Sequence, residues 1–324
     1  MNRLLVSLTF GRGSLTAPSS LLPRTSTTFW RQNGAMEVAV VDFTSSAAPT
    51  EFTRSLRETG FAVVTNHPVQ QALVEQVYAE WLAFFDSDAK YKYRFADGDQ
   101  DGYFAPDVSE TAKGNNIKDI KEFFHVYPWG KYPTEVSDAA LRLHHDAGMV
   151  ARTLLDWVEA NTPEAVSARF SQPLSSMLDG TTRSLLRILR YPPLTGNEPP
   201  NAIRAAAHED INLITVLPAS NEPGLQVKDL DGNWHDVPTD FGSLAINSGD
   251  MLQWASGGYY PSTTHRVTNP VGEAATKSRL SVPLFLHPAD GVILSEGRTA
   301  FEYLQERIRE LRSQDLKGSA ATTG

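Results

Sequence analysis

The 324-residue chain contains no cysteine. Disulfide frameworks, thiolate zinc sites, iron–sulfur clusters and cysteine nucleophiles are therefore excluded. No run of about 18 consecutive apolar residues occurs, which removes a membrane-spanning helix. Positive charge is scarce: 29 Lys and Arg face 38 Asp and Glu, a formal net charge of −9. A chain of that sign is poorly suited to neutralising a phosphate backbone, so the expected partner is a small molecule rather than a nucleic acid or a membrane. Core-forming material is ample, with 41% hydrophobic and 21% charged residues. Any polar chemistry falls to His, Asp, Glu, Arg, Lys, Ser and Tyr.

Residues 1–35 lack acids altogether, the first being Glu37. They carry Arg3, Arg12, Arg24 and Arg31 and ten Ser or Thr. That composition matches an organelle transit peptide; translation beginning at Met36 and a disordered tail are the other readings. In each the segment stays outside the fold, and the remainder is expected in the cytoplasm unless the segment directs it to an organelle.

From Met36 the periodicity becomes readable. Glu37 to Phe43 reads as a strand, Pro49 to Thr59 as a short helix stopped by Gly60, and Phe61 to Thr65 as an apolar strand. Leu73, Val77 and Trp81 place an amphipathic helix over Val69 to Phe85. A loop follows from Asp86 to about Lys118, and a long helix from Ser137 to about Asn161. After Leu185 the rhythm changes to short strands: Leu185–Tyr191, Asn212–Leu217, Leu225–Lys228, Trp234–Val237, Ser243–Asn247, Thr263–Thr268 and Leu280–Leu286. Asp231-Gly232 marks a hairpin between two of them. Such a series predicts a β-sandwich or barrel. Thr299 and Glu302 form a capping box before a last helix striped by Leu304, Ile308 and Leu311. The small polar tail from Lys317 to Gly324 is expected to fray.

Two His-x-Asp triplets occur among the eight histidines. His144 and Asp146 lie in a helical pattern, where two residues span about 200° and the side chains leave from opposite faces. His208 and Asp210 sit where a strand is expected to begin, and positions i and i+2 of a strand share a face. His265, in the strand-like segment beyond the hairpin, supplies a third ligand. Two imidazoles and one carboxylate occupy one face of an octahedral metal and leave three positions open, as suits ferrous iron that must bind co-substrate and oxygen together. Arg279 and Ser281 share one face of the next strand. A guanidinium inside a barrel calls for an anion, and its fork matches a carboxylate.

With these residues the chain resembles the isopenicillin N synthase-like family of non-haem iron(II), 2-oxoglutarate-dependent oxygenases. The motifs are His208-Glu209-Asp210, His265 and Arg279-Leu280-Ser281. Gly60–His67, Arg190-Tyr191-Pro192-Pro193 and Ser281–Phe285 extend the likeness over about Val38 to Pro288; Pro68, where many relatives have glycine, is a departure. The resemblance implies a mainly β fold with flanking helices, a double-stranded β-helix (jelly roll). Its divisions would be an amino-terminal region at 36–135, the core with its supporting long helix at 136–290, and a carboxy-terminal helix and tail at 291–324.

It further implies His208, Asp210 and His265 as ligands of Fe(2+), and Arg279, Ser281 and Tyr191 as the holders of 2-oxoglutarate. O2 is the oxidant, succinate and carbon dioxide are co-products, and a small organic substrate is hydroxylated, desaturated or cyclised. The alternatives are an iron oxidase that dispenses with 2-oxoglutarate, an ethylene-forming relative, a zinc hydrolase on the same three ligands, and a sensor barrel without turnover. Glu209, on the opposite strand face, is a poor general base for the hydrolase. His67 reads as structural. Gly102-Tyr103-Phe104 and Asp119 to Phe123 fall over the expected barrel mouth and either face substrate or pack a loop; Trp254, Tyr259 and Tyr260 either line the pocket or fill a loop.

Overall fold

The computed structural model describes residues 36–96, 100–106, 119–198, 202–220 and 224–321, with side chains as far as 310. The extension at 1–35, the 107–118 stretch and the end of the tail lie outside the described residues. In chain order the main elements are β1 (Val40–Asp42), α1 (Ala48–Thr59), β2 (Phe61–Thr65), α2 (Gln71–Asp86), β3 (Gly102–Phe104), β4 (Glu122–Val126), α3 (Ala139–Ala160), α4 (Glu164–Ser167), β5 (Leu185–Tyr191), β6 (Ala205–His208) and β7 (Ile214–Pro218). There follow β8 (Leu225–Lys228), β9 (Trp234–Asp236), β10 (Leu244–Ser248), α5 (Asp250–Ala255), β11 (His265–Val267), β12 (Arg279–Ser281), β13 (Leu284–Leu286), β14 (Ile293–Ser295), β15 (Arg298–Thr299) and α6 (Ala300–Ala321).

The strands form a large sheet in the order β1-β2-β10-β7-β13-β5-β4-β3, with β12 also on β5, and a smaller sheet in the order β6-β11-β8-β9. Side-chain alternation sorts the large sheet into two faces. Ala62 and Val64 of β2, Leu244 and Ile246 of β10, Ile188 of β5 and Leu284 of β13 pack outward against Phe52 and Leu56 of α1, Trp81 of α2 and Leu154 of α3. Phe61 and Val63 of β2 and Ala245 of β10 turn inward and meet Ala205, Leu225, Val227 and Val267 from the smaller sheet. Burial on both faces is why these strands read as almost unbroken apolar runs. The architecture is the jelly-roll double-stranded β-helix with helices on its outer face.

Several boundaries differ from the sequence reading, each for a local reason. The run Leu280–Leu286 is two strands, because Pro283 has no N–H for the ladder; its carbonyl instead accepts the Arg187 N–H at 2.9 Å. Within the stretch read as a loop, Gly102–Phe104 pairs with β4 as an edge strand, and Asp88–Tyr93 forms a 3-10 turn. The strand expected from Asn212 begins at Ile214. Helix α6 continues through Lys317 to Ala321, where fraying was expected. Its capping box forms: the Glu302 N–H donates to Thr299 Oγ1 at 3.2 Å and the Thr299 N–H to Glu302 Oε2 at 2.9 Å. Leu304 packs on the core; the Leu311 side chain is outside the description.

Gly60 ends α1 with φ of 73° and its N–H on the Leu56 carbonyl. A Cβ there would lie 2.2 Å from Thr263 Oγ1 and 2.8 Å from the Pro261 carbonyl. The left-handed backbone and the close approach both demand glycine. Gly60→Ala is expected to lower stability by about 2–3 kcal/mol, the sum of the backbone penalty and overpacking, read from the urea unfolding midpoint at unchanged slope.

Candidate metal centre and co-substrate site

His208 ends β6 and His265 begins β11, and antiparallel pairing sets the two residues directly opposite one another. Their rings lie 4.3 Å apart between centroids. In each ring Nδ1 faces a backbone carbonyl, Ala206 O at 2.8 Å for His208 and Thr263 O at 3.1 Å for His265. A carbonyl only accepts, so Nδ1 carries the proton and the Nε2 lone pair remains for a metal. Both Nε2 atoms lie 3.8 Å from Asp210 Oδ1.

Asp210 lies past the end of β6, in the crossing to β7. The expectation that His208 and Asp210 share one beginning strand is therefore corrected: β6 ends at His208, and the carboxylate reaches the imidazoles from the chain passing between the two sheets. Asp210 Oδ2 accepts hydrogen bonds from Thr215 Oγ1 at 2.5 Å and Asn247 Nδ2 at 2.8 Å, which turns Oδ1 toward the histidines. Asn212 in turn donates to the Thr215 hydroxyl at 2.9 Å. The donor atoms of His208, Asp210 and His265 all lie within 4.8 Å of one another, close to the span one ion bridges with bonds near 2.1 Å.

The electrostatics suit that use. The His208 side chain is 40% exposed; partial desolvation, with His265 and Lys121 beside it, holds its imidazole below the ordinary histidine range, so it is neutral near pH 7. Burial works to raise the Asp210 carboxyl, but the two imidazoles and the bonds from Asn247 and Thr215 outweigh it and hold it below the usual carboxylate range. Two imidazole nitrogens and one buried carboxylate oxygen form a donor set that fits Fe(2+).

Arg279 and Ser281 lie on β12, 4% and 5% exposed, against β5. Tyr191 is the direct cross-strand partner of Arg279, whose guanidinium carbon sits 5.5 Å from the tyrosine ring centroid. A second buried guanidinium, Arg204, lies 5.8 Å from the same ring. Buried guanidinium, hydroxyl and phenol together make a surface suited to a carboxylate.

Other candidates divide. His144 bonds the Ser184 carbonyl and Asp146 lies elsewhere on α3, as their helical spacing predicts. His67 Nε2 meets the Gly242 carbonyl at 3.0 Å, a structural role. Trp254 packs on Tyr303 of α6, Tyr259 under Arg57 of α1, and Tyr260 bonds Thr162 after α3; all three serve the outer core. Tyr103 also turns outward, onto Glu122, whereas Phe104 and Phe123 turn inward and stack at 4.7 Å. Glu209 accepts from Thr264 Oγ1 on the exposed side, away from Asp210 Oδ1.

Sequence reasoning missed Thr215 and Asn247, although each is a lone polar residue on the inward face of an apolar strand. It also missed the role of Lys121, which forms a buried ion pair at 2.8 Å with Asp119. Asp119 Oδ1 accepts the Ala206 N–H at 3.1 Å, pinning the strand that ends in His208.

Residues 182–288 match the 2OG-Fe(II) oxygenase superfamily, and residues 38–144 match the region described as non-haem dioxygenase in morphine synthesis N-terminal. A gibberellin 2-beta-dioxygenase of Phaseolus coccineus is 28% identical over 290 residues, 87% of this chain and 81% of that protein. A candidate oxygenase from Shewanella oneidensis, known from its crystal structure, is 53% identical with a TM-score of 0.78 over 85% of this chain and 98% of its own. A full-length Neurospora crassa protein crystallised in complex with alpha-KG shares the fold at 21% identity, with a TM-score of 0.71 over 83% and 95% of the two chains. The chain belongs to the 2OG-Fe(II) oxygenase family. It is an oxidoreductase of the dioxygenase class, working with Fe(2+), 2-oxoglutarate and O2.

Two outcomes are expected. Thr215→Val removes a hydrogen bond that orients Asp210, and should weaken metal binding about 10–100-fold in a cobalt(II) titration followed by visible absorption. The second concerns pH. His287 is held down to about 4 by burial. The unfolded chain protonates it near 6.5, so the metal-free protein should have this contribution in full above that pH and lose stability as pH falls toward 4. Urea midpoints at pH 7.5, 6 and 5 would follow the decline, and His287→Gln should make it shallower.

Proposed function

We propose that the chain is an iron(II)- and 2-oxoglutarate-dependent dioxygenase that oxidises, most simply by hydroxylation, a small organic molecule and releases succinate and carbon dioxide. His208, Asp210 and His265 are the iron ligands, and Arg279, Ser281 and Tyr191 hold the co-substrate. One observation carries the assignment of ligands: two imidazoles fixed in the Nδ1–H tautomer and a carboxylate with one oxygen occupied converge with their remaining donor atoms on a common point.

When bound, iron with 2-oxoglutarate supplies activation of oxygen and an oxidant able to attack a C–H bond. The chain supplies the rest. The backbone carbonyls of Ala206 and Thr263 keep both imidazoles in the ligating tautomer. Thr215 and Asn247 keep Asp210 ionised and turned. Arg279 offers paired donors to the distal carboxylate of 2-oxoglutarate, with Ser281 adding a hydroxyl and Tyr191 fixing the plane of the guanidinium. The inward rings of Phe104 and Phe123 keep water from the substrate side.

Air-free addition of iron(II) and 2-oxoglutarate to the purified chain should give a weak visible charge-transfer band, lost in His208→Ala and Asp210→Ala. Arg279→Gln should keep iron affinity and weaken 2-oxoglutarate binding by a factor of about 10–100. In air, oxygen uptake should require 2-oxoglutarate and yield succinate. Uptake indifferent to 2-oxoglutarate would assign the chain to the oxidase alternative, and an Arg279→Gln variant binding the co-substrate like wild type would overturn the role of that arginine.

A further inference from the structure

Asp119 and Lys121 lie just before β4, 8% and 7% exposed, with Lys121 Nζ 2.8 Å from Asp119 Oδ2. Exchanging a buried ion pair for apolar residues is often neutral for stability, so the fold alone gives no reason for this one. Its place beside β6 does.

His208 is the least enclosed of the three proposed ligands. Its side chain is 40% exposed, against 8% for His265 and 5% for Asp210. Packing therefore leaves its ring room to turn, and hydrogen bonds must hold it. Its strand, β6, is the outermost of the small sheet and pairs, among the described residues, with β11 alone. That ladder is itself interrupted by a register shift between the His265 and Val267 positions. His265, by contrast, is on β11, which lies between β6 and β8.

The segment before β4 lines the open edge of β6. The Ile120 N–H donates to the Ile203 carbonyl at 3.2 Å, and the Ala206 N–H donates to Asp119 Oδ1 at 3.1 Å. Lys121 occupies the other oxygen of the carboxylate and keeps it from turning away. The N–H and carbonyl of one strand residue point to the same side, so anchoring the Ala206 N–H also aims its carbonyl. That carbonyl takes the Nδ1–H of His208 at 2.8 Å. The series Lys121–Asp119–Ala206–His208 thus runs unbroken from ammonium to imidazole. Released from the carbonyl, a neutral imidazole also populates the Nε2–H form, in which Nε2 has no lone pair for a metal.

We propose that Asp119, held by Lys121, is the positioning residue for His208: through Ala206 it keeps that imidazole in the Nδ1–H form and turned toward Asp210 and His265. The proposal rests on His208 being an iron ligand, as read above, and adds the residue that sets how well this ligand binds. The two histidines are then held by separate means. Asp119 governs His208 and leaves His265, whose Nδ1 faces the Thr263 carbonyl, untouched.

The test compares the full wild-type chain with two double variants, Asp119→Asn/Lys121→Met and Asp119→Leu/Lys121→Met. Neither leaves a buried charge without its partner, and the two differ in whether residue 119 offers an oxygen to the Ala206 N–H. Metal-free protein with nitrogen-15-labelled histidine, at pH 8, reads the tautomer of each ring from its two nitrogen shifts. Wild type and the Asp119→Asn/Lys121→Met variant should show His208 and His265 both in the Nδ1–H form. The Asp119→Leu/Lys121→Met variant should show His208 as a mixture of tautomers, with His265 unchanged. Cobalt(II) affinity should fall about 10–100-fold in the latter, the usual loss when an outer partner of a metal ligand is removed, and stay within about threefold of wild type in the former.

A wild-type His208 outside the Nδ1–H form would overturn the proposal. So would equal tautomer mixtures or equal cobalt affinities in the two double variants, or His208 and His265 changing together, as a general loosening would produce. If the Asp119→Leu/Lys121→Met variant does not fold, Asp119→Ala/Lys121→Met takes its place in the same comparison. Undiminished cobalt binding by His208→Ala would instead sink the ligand assignment, a failure distinct from that of the tautomer comparison, which is made without metal.

Discussion

A carboxylate that stays ionised while buried is the constraint on which the centre depends. Left alone, Asp210 would protonate rather than carry its charge out of water. The chain opposes this with two imidazoles on one oxygen and the Thr215 hydroxyl and Asn247 amide on the other. Those donors belong to different elements: Thr215 is on β7 and Asn247 on β10, both in the large sheet, while His208 and His265 end strands of the small one. Satisfying one side chain therefore fixes where the two sheets stand at this end of the barrel. Removing a donor would leave a buried charge short of partners, a larger loss than the bond itself contributes.

The same alternation that closes the barrel separates its tasks. Most outward residues of β2, β5, β7, β10 and β13 are aliphatic and meet the helices, with Arg190 and Ser248 as polar exceptions. Inward residues of those strands include Thr215, Asn247, Arg187 and Tyr191, set among Phe61, Val63 and Leu189. Polar groups on this face are tolerable because each has a defined partner or a ligand to meet. The helices supply burial, and the inner face is free to carry chemistry.

Much of this was legible in the sequence. Helices α1, α2 and α3 followed from their apolar spacing, and β2, β5 and β8 from short runs bounded by turn residues. The His-x-Asp triplet was separable from its helical counterpart by rotation per residue alone. Pairing was less legible. The register that sets His265 opposite His208 depends on the hairpin lengths between them, and the split at Pro283 on the shift that Arg187 bridges. The aromatic residues, left open between pocket and packing, were least legible. Trp254, Tyr259 and Tyr260 are near the histidines in sequence but face the helices, whereas Phe104 and Phe123, far from every motif, face the interior. Sequence proximity carries no information about which side of a sheet a ring occupies once a turn lies between.

The ligand-bearing segments are short and irregular, so something other than ladder hydrogen bonds must hold them. Two backbone contacts do so. Gly60 presses on Thr263 and Pro261, just before His265, and Gly249 presses on Asn212, where an added Cβ would fall 2.2 Å from the backbone oxygen. The same turns are bonded: the Ser248 N–H donates to the Gly60 carbonyl at 3.0 Å, and the Asp250 N–H to the Asp210 carbonyl at 2.7 Å. Main chain thus packs directly on main chain behind both His265 and Asp210. Such contacts have few rotamers to explore, so they hold a ligand's position more tightly than side-chain packing of equal area. The end of β10 lies at both contacts, through Ser248 toward Gly60 and Gly249 toward Asn212, so one turn sets the position of His265 relative to Asp210.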